Sequence, residues 1–150
     1  MNRSSVFCMI GLFAVTGLFA QSNEFVDNLL STPAVSVGQL SYLVLVASDN
    51  LSEDADEARA FELLENLGWA SRGMKASDPV NLRTYSFLLM RAFGLKGGYM
   101  YRLFPGPRYA YRELTSLQVI QGKADPLNLV DGITAVRMLG RVFDVLGVSR

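Results

Sequence analysis

Residues 78–95, DPVNLRTYSFLLMRAFGL, open on an Asp-Pro turn and run directly into an apolar pattern with helical spacing. Leu82, Tyr85, Leu88 or Leu89, and Ala92 recur at steps of three and four residues, which places them on one helix face. Gly94 follows Phe93, a position where a left-handed helix stop costs glycine least. The same plan stands twice more in the chain. Residues 32–48, TPAVSVGQLSYLVLVAS, present Val37, Leu40, Leu43 or Val44, and Ala47; residues 125–147, DPLNLVDGITAVRMLGRVFDVLG, present Ile133, Val136, Leu139, Phe143 and Leu146 before Gly147. Pro33, Pro79 and Pro126 lie 46 and 47 residues apart, and Ser36, Asn81 and Asp131 are the N-caps this spacing predicts.

Each proline is preceded by a second helical pattern. Ala58, Phe61, Leu64 and Leu67 run to Gly68, while Ala110, Tyr111, Leu114 and Leu117 run on through Val119-Ile120-Gln121 to Gly122. The two segments align without a gap, and the first copy keeps only a stub, Glu24 to Leu30. The expected fold is therefore all-α: three helix-loop-helix repeats, about 24–50, 57–95 and 108–147, closing about a pseudo-threefold axis so that each buries what it cannot bury alone. The second helix of each repeat is the more apolar one, and GQLSYLVLVAS is apolar almost all round, as a central helix is.

Residues 1–20 read as a secretory signal peptide: Arg3 in a short polar start, an apolar run from Val6 to Ala20, then polar Gln21-Ser22-Asn23. The run is short for a membrane span and holds two glycines. The expected product is one exported domain, 21–150, in the periplasm or cell envelope, whose membrane contact is limited to the leader if that is not cleaved. With Cys8 in the leader and no histidine among the 150 residues, Ser-His-Asp and Cys-His nucleophile systems and Cys/His zinc sites have no residues to be built from. No cofactor and no metal site is expected. Half of the residues are hydrophobic, enough for a domain to hold by its core without disulfides.

The repeat pattern resembles the S-layer homology domain family. Leu88-Leu89-Met90-Arg91-Ala92-Phe93-Gly94-Leu95 matches the end of that family's inner helix, Val119-Ile120-Gln121-Gly122 its turn, and Phe104 to Leu114 the junction between repeats. The resemblance covers about Thr32 to Gly147. It implies the three-hairpin fold more strongly than cell-wall polysaccharide binding, because Leu82 and Thr84 occupy the places of the family's polymer-binding arginine and glutamate.

Charge cancels overall, 14 acidic against 14 basic, but not locally. From Gln21 to Glu65 there are nine acidic residues and one basic; from Asn66 to Arg112 there are eight basic and one acidic. The basic stretch coincides with KGGYMYRLFPGPRYAYREL (96–114), where Tyr99, Tyr101, Phe104, Tyr109 and Tyr111 interleave with Arg102, Arg108 and Arg112. Arginine forks take carboxylate or phosphate, and tyrosine offers flat faces to sugar rings. Arg83, Tyr99, Tyr101, Arg102, Arg108, Tyr109 and Arg112 are the candidate ligand contacts; the plainer alternative has Tyr101, Phe104 and Tyr111 filling a seam between repeats while the arginines reach solvent. Pooled N-termini of the inner helices, with Arg83 beside them, point to an anion as well. The expected function is non-catalytic binding of an anionic cell-wall polymer, peptidoglycan or an attached polysaccharide; the alternative is a periplasmic protein-protein adaptor using the same patch. Nucleic acid does not fit a small patch on a chain of zero net charge. Residues 49–57 lack the glycine of a calcium loop and read as a Ser52 N-cap followed by acids.

Overall fold

The computed structural model describes residues 24–147, so the expected leader, with Cys8, lies outside the described residues. The chain forms helices α1 (24–31), α2 (Val37–Ala47), α3 (Glu57–Asn66), α4 (Leu82–Ala92), α5 (Tyr99–Leu103), α6 (Pro107–Ser116) and α7 (Gly132–Leu146). No strand occurs among the described residues, and the fold is all-α. No described helix is long and apolar enough to cross a membrane. The caps of α2, α4 and α7 fall on the expected residues: Ser36 Oγ accepts from Gln39 N at 3.2 Å, Asn81 Oδ1 from Thr84 N at 3.0 Å, and Asp131 Oδ1 from Thr134 N at 2.6 Å. Gly147 ends α7 with φ 68, the left-handed stop that glycine makes without steric cost. Helix α3 departs from expectation. Its cap is Asp56, whose carboxylate accepts from Arg59 N at 2.7 Å, whereas the Ser52 carbonyl serves a turn from Ala55 N.

The segments entering α2, α4 and α7 meet in the core. Val35 N donates to Val130 O at 2.8 Å, Val130 N to Val80 O at 2.9 Å, and Val80 N to Val35 O at 3.0 Å, a closed cycle of three hydrogen bonds between buried valines. One step along, Val37 N donates to Asp78 O at 2.9 Å, Leu82 N to Asn128 O at 3.0 Å and Gly132 N to Thr32 O at 3.0 Å. Gly38 N and Arg83 N add bonds to Ala76 O and Pro126 O. The first N–H groups of these helices, which no helix can satisfy internally, are thus satisfied by the neighbouring segment.

The valines, not the prolines, set the register. Val35, Val80 and Val130 lie 45 and 50 residues apart, while Pro33, Pro79 and Pro126 precede them by two, one and four residues. Aligning on proline therefore offsets the third helix. Of the face expected for α7, Leu139 is buried and Val136 and Phe143 pack against the core, but Ile133 is 53% and Leu146 41% exposed, and the buried face is completed by Ala135, Met138 and Val142, which corrects the expectation at its two ends.

Leu40, Tyr85 and Ala135 stand five residues after Val35, Val80 and Val130 respectively. Tyr85 is fully buried and its hydroxyl donates to Ala135 O at 2.9 Å, so a large side chain on α4 reaches the backbone beside a small one on α7. Ser41 and Ser86 also coincide, each turning its buried hydroxyl onto the carbonyl four residues back, Val37 O and Leu82 O. Helix α2 packs along α3 and α4 along α6, each inner helix lying along the outer helix that follows it. Helix α1 ends against the start of α7, where a Cβ on Gly132 would stand 1.7 Å from Leu29 O.

Candidate functional site

The end of the molecule built by the last turn of α4, by α5 and by the first turn of α6 is where cationic and aromatic side chains collect. Helix α4 stops at Gly94, whose φ of 57 turns the chain into Leu95-Lys96-Gly97-Gly98. Gly97 packs directly on Tyr101: a Cβ there would lie 2.5 Å from the ring, so glycine is required for this close approach. Helix α5 is one short turn, and Pro105-Gly106-Pro107 redirects the chain into α6, with proline at its first turn.

A cavity of 540 Å³ opens here, with Arg91, Leu95, Lys96, Gly97, Tyr101 and Arg102 in its lining. Tyr101 is 7% exposed, and its hydroxyl has no hydrogen-bond partner among the described residues. Burial pushes that phenol above its ordinary pKa; Arg91 pulls it down and Glu113 pushes it up again. The Arg91 guanidinium lies 5.3 Å over the Phe87 ring, a cation–π arrangement that holds its head group. Around the rim the apolar surface is bare: Tyr99 is 71% and Phe104 60% exposed, and Met100 and Leu103 are exposed too. Phe104 stacks on Tyr109 at 6.4 Å and 29°. Among the described residues the ion pair is Arg59–Glu62; Arg91, Lys96, Arg102, Arg108 and Arg112 have no carboxylate in ion-pair range.

Comparison with protein-family models, with curated proteins and with solved structures finds no match to this chain. The site is therefore judged on its own chemistry.

Of the candidates drawn from sequence, Tyr99, Tyr101, Arg102, Arg108 and Tyr109 gather at this end, with Arg112 exposed one turn further along α6. Arg83 does not join them. It is exposed in the first turn of α4, eight residues from Arg91 and so about 12 Å along the helix from the cavity. The N–H groups expected to pool charge beside Arg83 are also spoken for, since they bond to Thr32, Ala76, Asp78, Pro126 and Asn128 carbonyls. That removes the anion site expected at the inner-helix starts. The seam role falls to Tyr111, whose hydroxyl donates to Ala124 O, and to buried Tyr101, while Phe104 faces solvent. Arg91 and Lys96 belong to the basic stretch but not to the seven candidates; the glycine pair after Lys96 was the signal that the chain folds back here and brings them to Tyr101.

A second groove, of 480 Å³, lies between the Val119-Ile120-Gln121 turn and α7, over Leu82, Asn128, Arg137 and Met138. Arg141 closes one side, donating to Val119 O at 3.0 Å and to Gln121 Oε1 at 2.9 Å. Its charge holds the turn and is not free for a ligand. The pre-proline aspartates likewise serve turns: Asp78 accepts from Lys75 N and Asp125 from Leu127 N, both at 2.8 Å. No group of three or more metal-ligating side chains forms among the described residues.

Proposed function

We propose that this chain is a non-catalytic, exported cell-envelope protein that binds an anionic wall polymer, peptidoglycan or an attached polysaccharide, through the face made by α5 and the adjoining ends of α4 and α6. The observation that carries this reading is the set of cations at one end, none within ion-pair range of a carboxylate among the described residues, beside exposed tyrosine and phenylalanine rings. Cations gathered at one end attract anionic groups, and the flat rings beside them can take sugar faces. Arg102, Arg108, Tyr99 and Tyr109 are the contacts; Arg83 is not, given its distance. We also read the three segments as drifted copies about a pseudo-threefold axis, like the S-layer homology family; the valine cycle and the matched Ser41 and Ser86 support this.

The test is retention on purified cell-wall sacculi as salt rises. Retention should fall with ionic strength and should drop further in Arg102→Ala plus Arg108→Ala. Retention that neither salt nor the double variant alters sinks the proposal. The adaptor reading rests on a different observation, the contiguous apolar surface of Tyr99, Met100, Leu103 and Phe104, which is typical of protein interfaces. Co-purification with one partner at fixed stoichiometry, without sacculus retention, would establish it instead.

A further inference from the structure

We propose that the cavity between the end of α4 and α5 is a binding site for a phosphomonoester group, with Arg91, Lys96 and Arg102 supplying charge and the Tyr101 hydroxyl a further donor. The inference rests on the polymer reading only for where the phosphate comes from; the site itself stands on its geometry. Three cations line one cavity and none has a carboxylate in ion-pair range among the described residues. The lining holds three cations and no acid, and a phosphomonoester, with close to two negative charges at neutral pH, meets more of that charge than the single charge of a carboxylate does.

The hydroxyl is the second observation. A buried donor without a partner is costly, and native structures rarely leave one without a reason. Tyr101 is in the lining of the cavity and its hydroxyl is buried without a partner among the described residues, so an oxyanion drawn in beside it would supply the missing acceptor. The surroundings are also set in advance. The Phe87 ring holds the Arg91 guanidinium, and Gly97 lets its own backbone lie against the Tyr101 ring. A volume of 540 Å³ accommodates a phosphorylated monosaccharide, and the stacked Phe104 and Tyr109 lie one turn away to meet a sugar face.

Calorimetric titration of the purified chain with inorganic phosphate, hexose 6-phosphate and glucuronate tests it. Both phosphates should bind, with glucuronate at least about tenfold weaker. Arg102→Gln should weaken phosphate about tenfold or more and Tyr101→Phe about threefold to tenfold, with thermal melts showing both variants folded, while Lys123→Gln should change nothing. Absence of phosphate binding, equal binding of glucuronate, or binding that Arg102→Gln and Tyr101→Phe leave intact overturns the site. Phosphate binding without sacculus retention keeps the site and removes the polymer as its source; sacculus retention without phosphate binding does the reverse.

Discussion

Two glycines on α7 should respond in opposite directions to the same substitution. Gly132→Ala places a methyl 1.7 Å from Leu29 O, and that carbonyl must retreat about 1.3 Å to reach even the 3.0 Å below which real Cβ contacts essentially do not occur. The atom it meets is backbone, so no side-chain rotation relieves the contact. The retreat strains the bond from Gly132 N to Thr32 O, worth ~1 kcal/mol, and loosens Leu29, a fully buried side chain whose burial contributes roughly 1.5–3 kcal/mol. Against this stands at most ~1 kcal/mol of helix propensity gained by alanine. The net expectation is a loss of about 1.5–4 kcal/mol, or roughly 5–16 °C in the melting midpoint of a domain this size. At Gly140, exposed in mid-helix, a Cβ meets nothing within 4 Å, so Gly140→Ala should gain about 0.5–1 kcal/mol and a few degrees. Urea denaturation followed by far-ultraviolet circular dichroism reads both. A Gly132→Ala midpoint at or above wild type would refute the packing of α1 against α7, and parallel losses in both variants would refute the propensity argument.

Asp56→Ala should cost about 0.5–2 kcal/mol by removing the cap of α3, while Ser52→Ala should stay within a few tenths, measured in the same denaturation series. Tyr85→Phe removes the hydroxyl bonded to Ala135 O and should cost about 0.5–1.5 kcal/mol near neutral pH. Burial also raises the Tyr85 pKa, so the native state holds that proton more tightly than the unfolded chain; stability is full below the ordinary phenol value of about 10 and is lost as pH rises above it. Phe at this position should flatten part of that alkaline loss, and an unchanged alkaline slope would place the titration elsewhere. Disruption of the aromatic rim by Phe104→Ser should leave the melting midpoint within about 1 °C, since the ring is mostly exposed, and should lower sacculus retention.

The helix plan was legible because local chemistry sets it. Ser36, Asn81 and Asp131 cap by side-chain bonds to residues three ahead, and glycine stops need only their own φ, so both are written in neighbouring letters. The face of α7 was legible at Val136, Leu139 and Phe143 but not at its ends, because prolines mark turns whereas the valines pair across 45 to 95 positions of chain. Ser52 and Asp56 are both good caps by residue type, and only the length of the loop after α2 decides between them. At the candidate site the basic and aromatic letters were visible, but their grouping was not: α4 keeps Arg83 far from Arg91, and the turn at Gly97-Gly98 brings Lys96 to Tyr101. Pooled helix starts failed for a reason no composition shows, namely that neighbouring carbonyls already occupy those N–H groups.

The valine cycle has a bearing on how the chain acquires its shape. Val35 pairs with both Val80 and Val130, so the knot at the centre is incomplete until the last of the three has emerged and come back to the first. Closing so long a span carries an entropic cost that no single hairpin repays, and the ends are sealed together or not at all. A polypeptide of this kind stays pliable for most of its synthesis and hardens in one step once the third valine is in place.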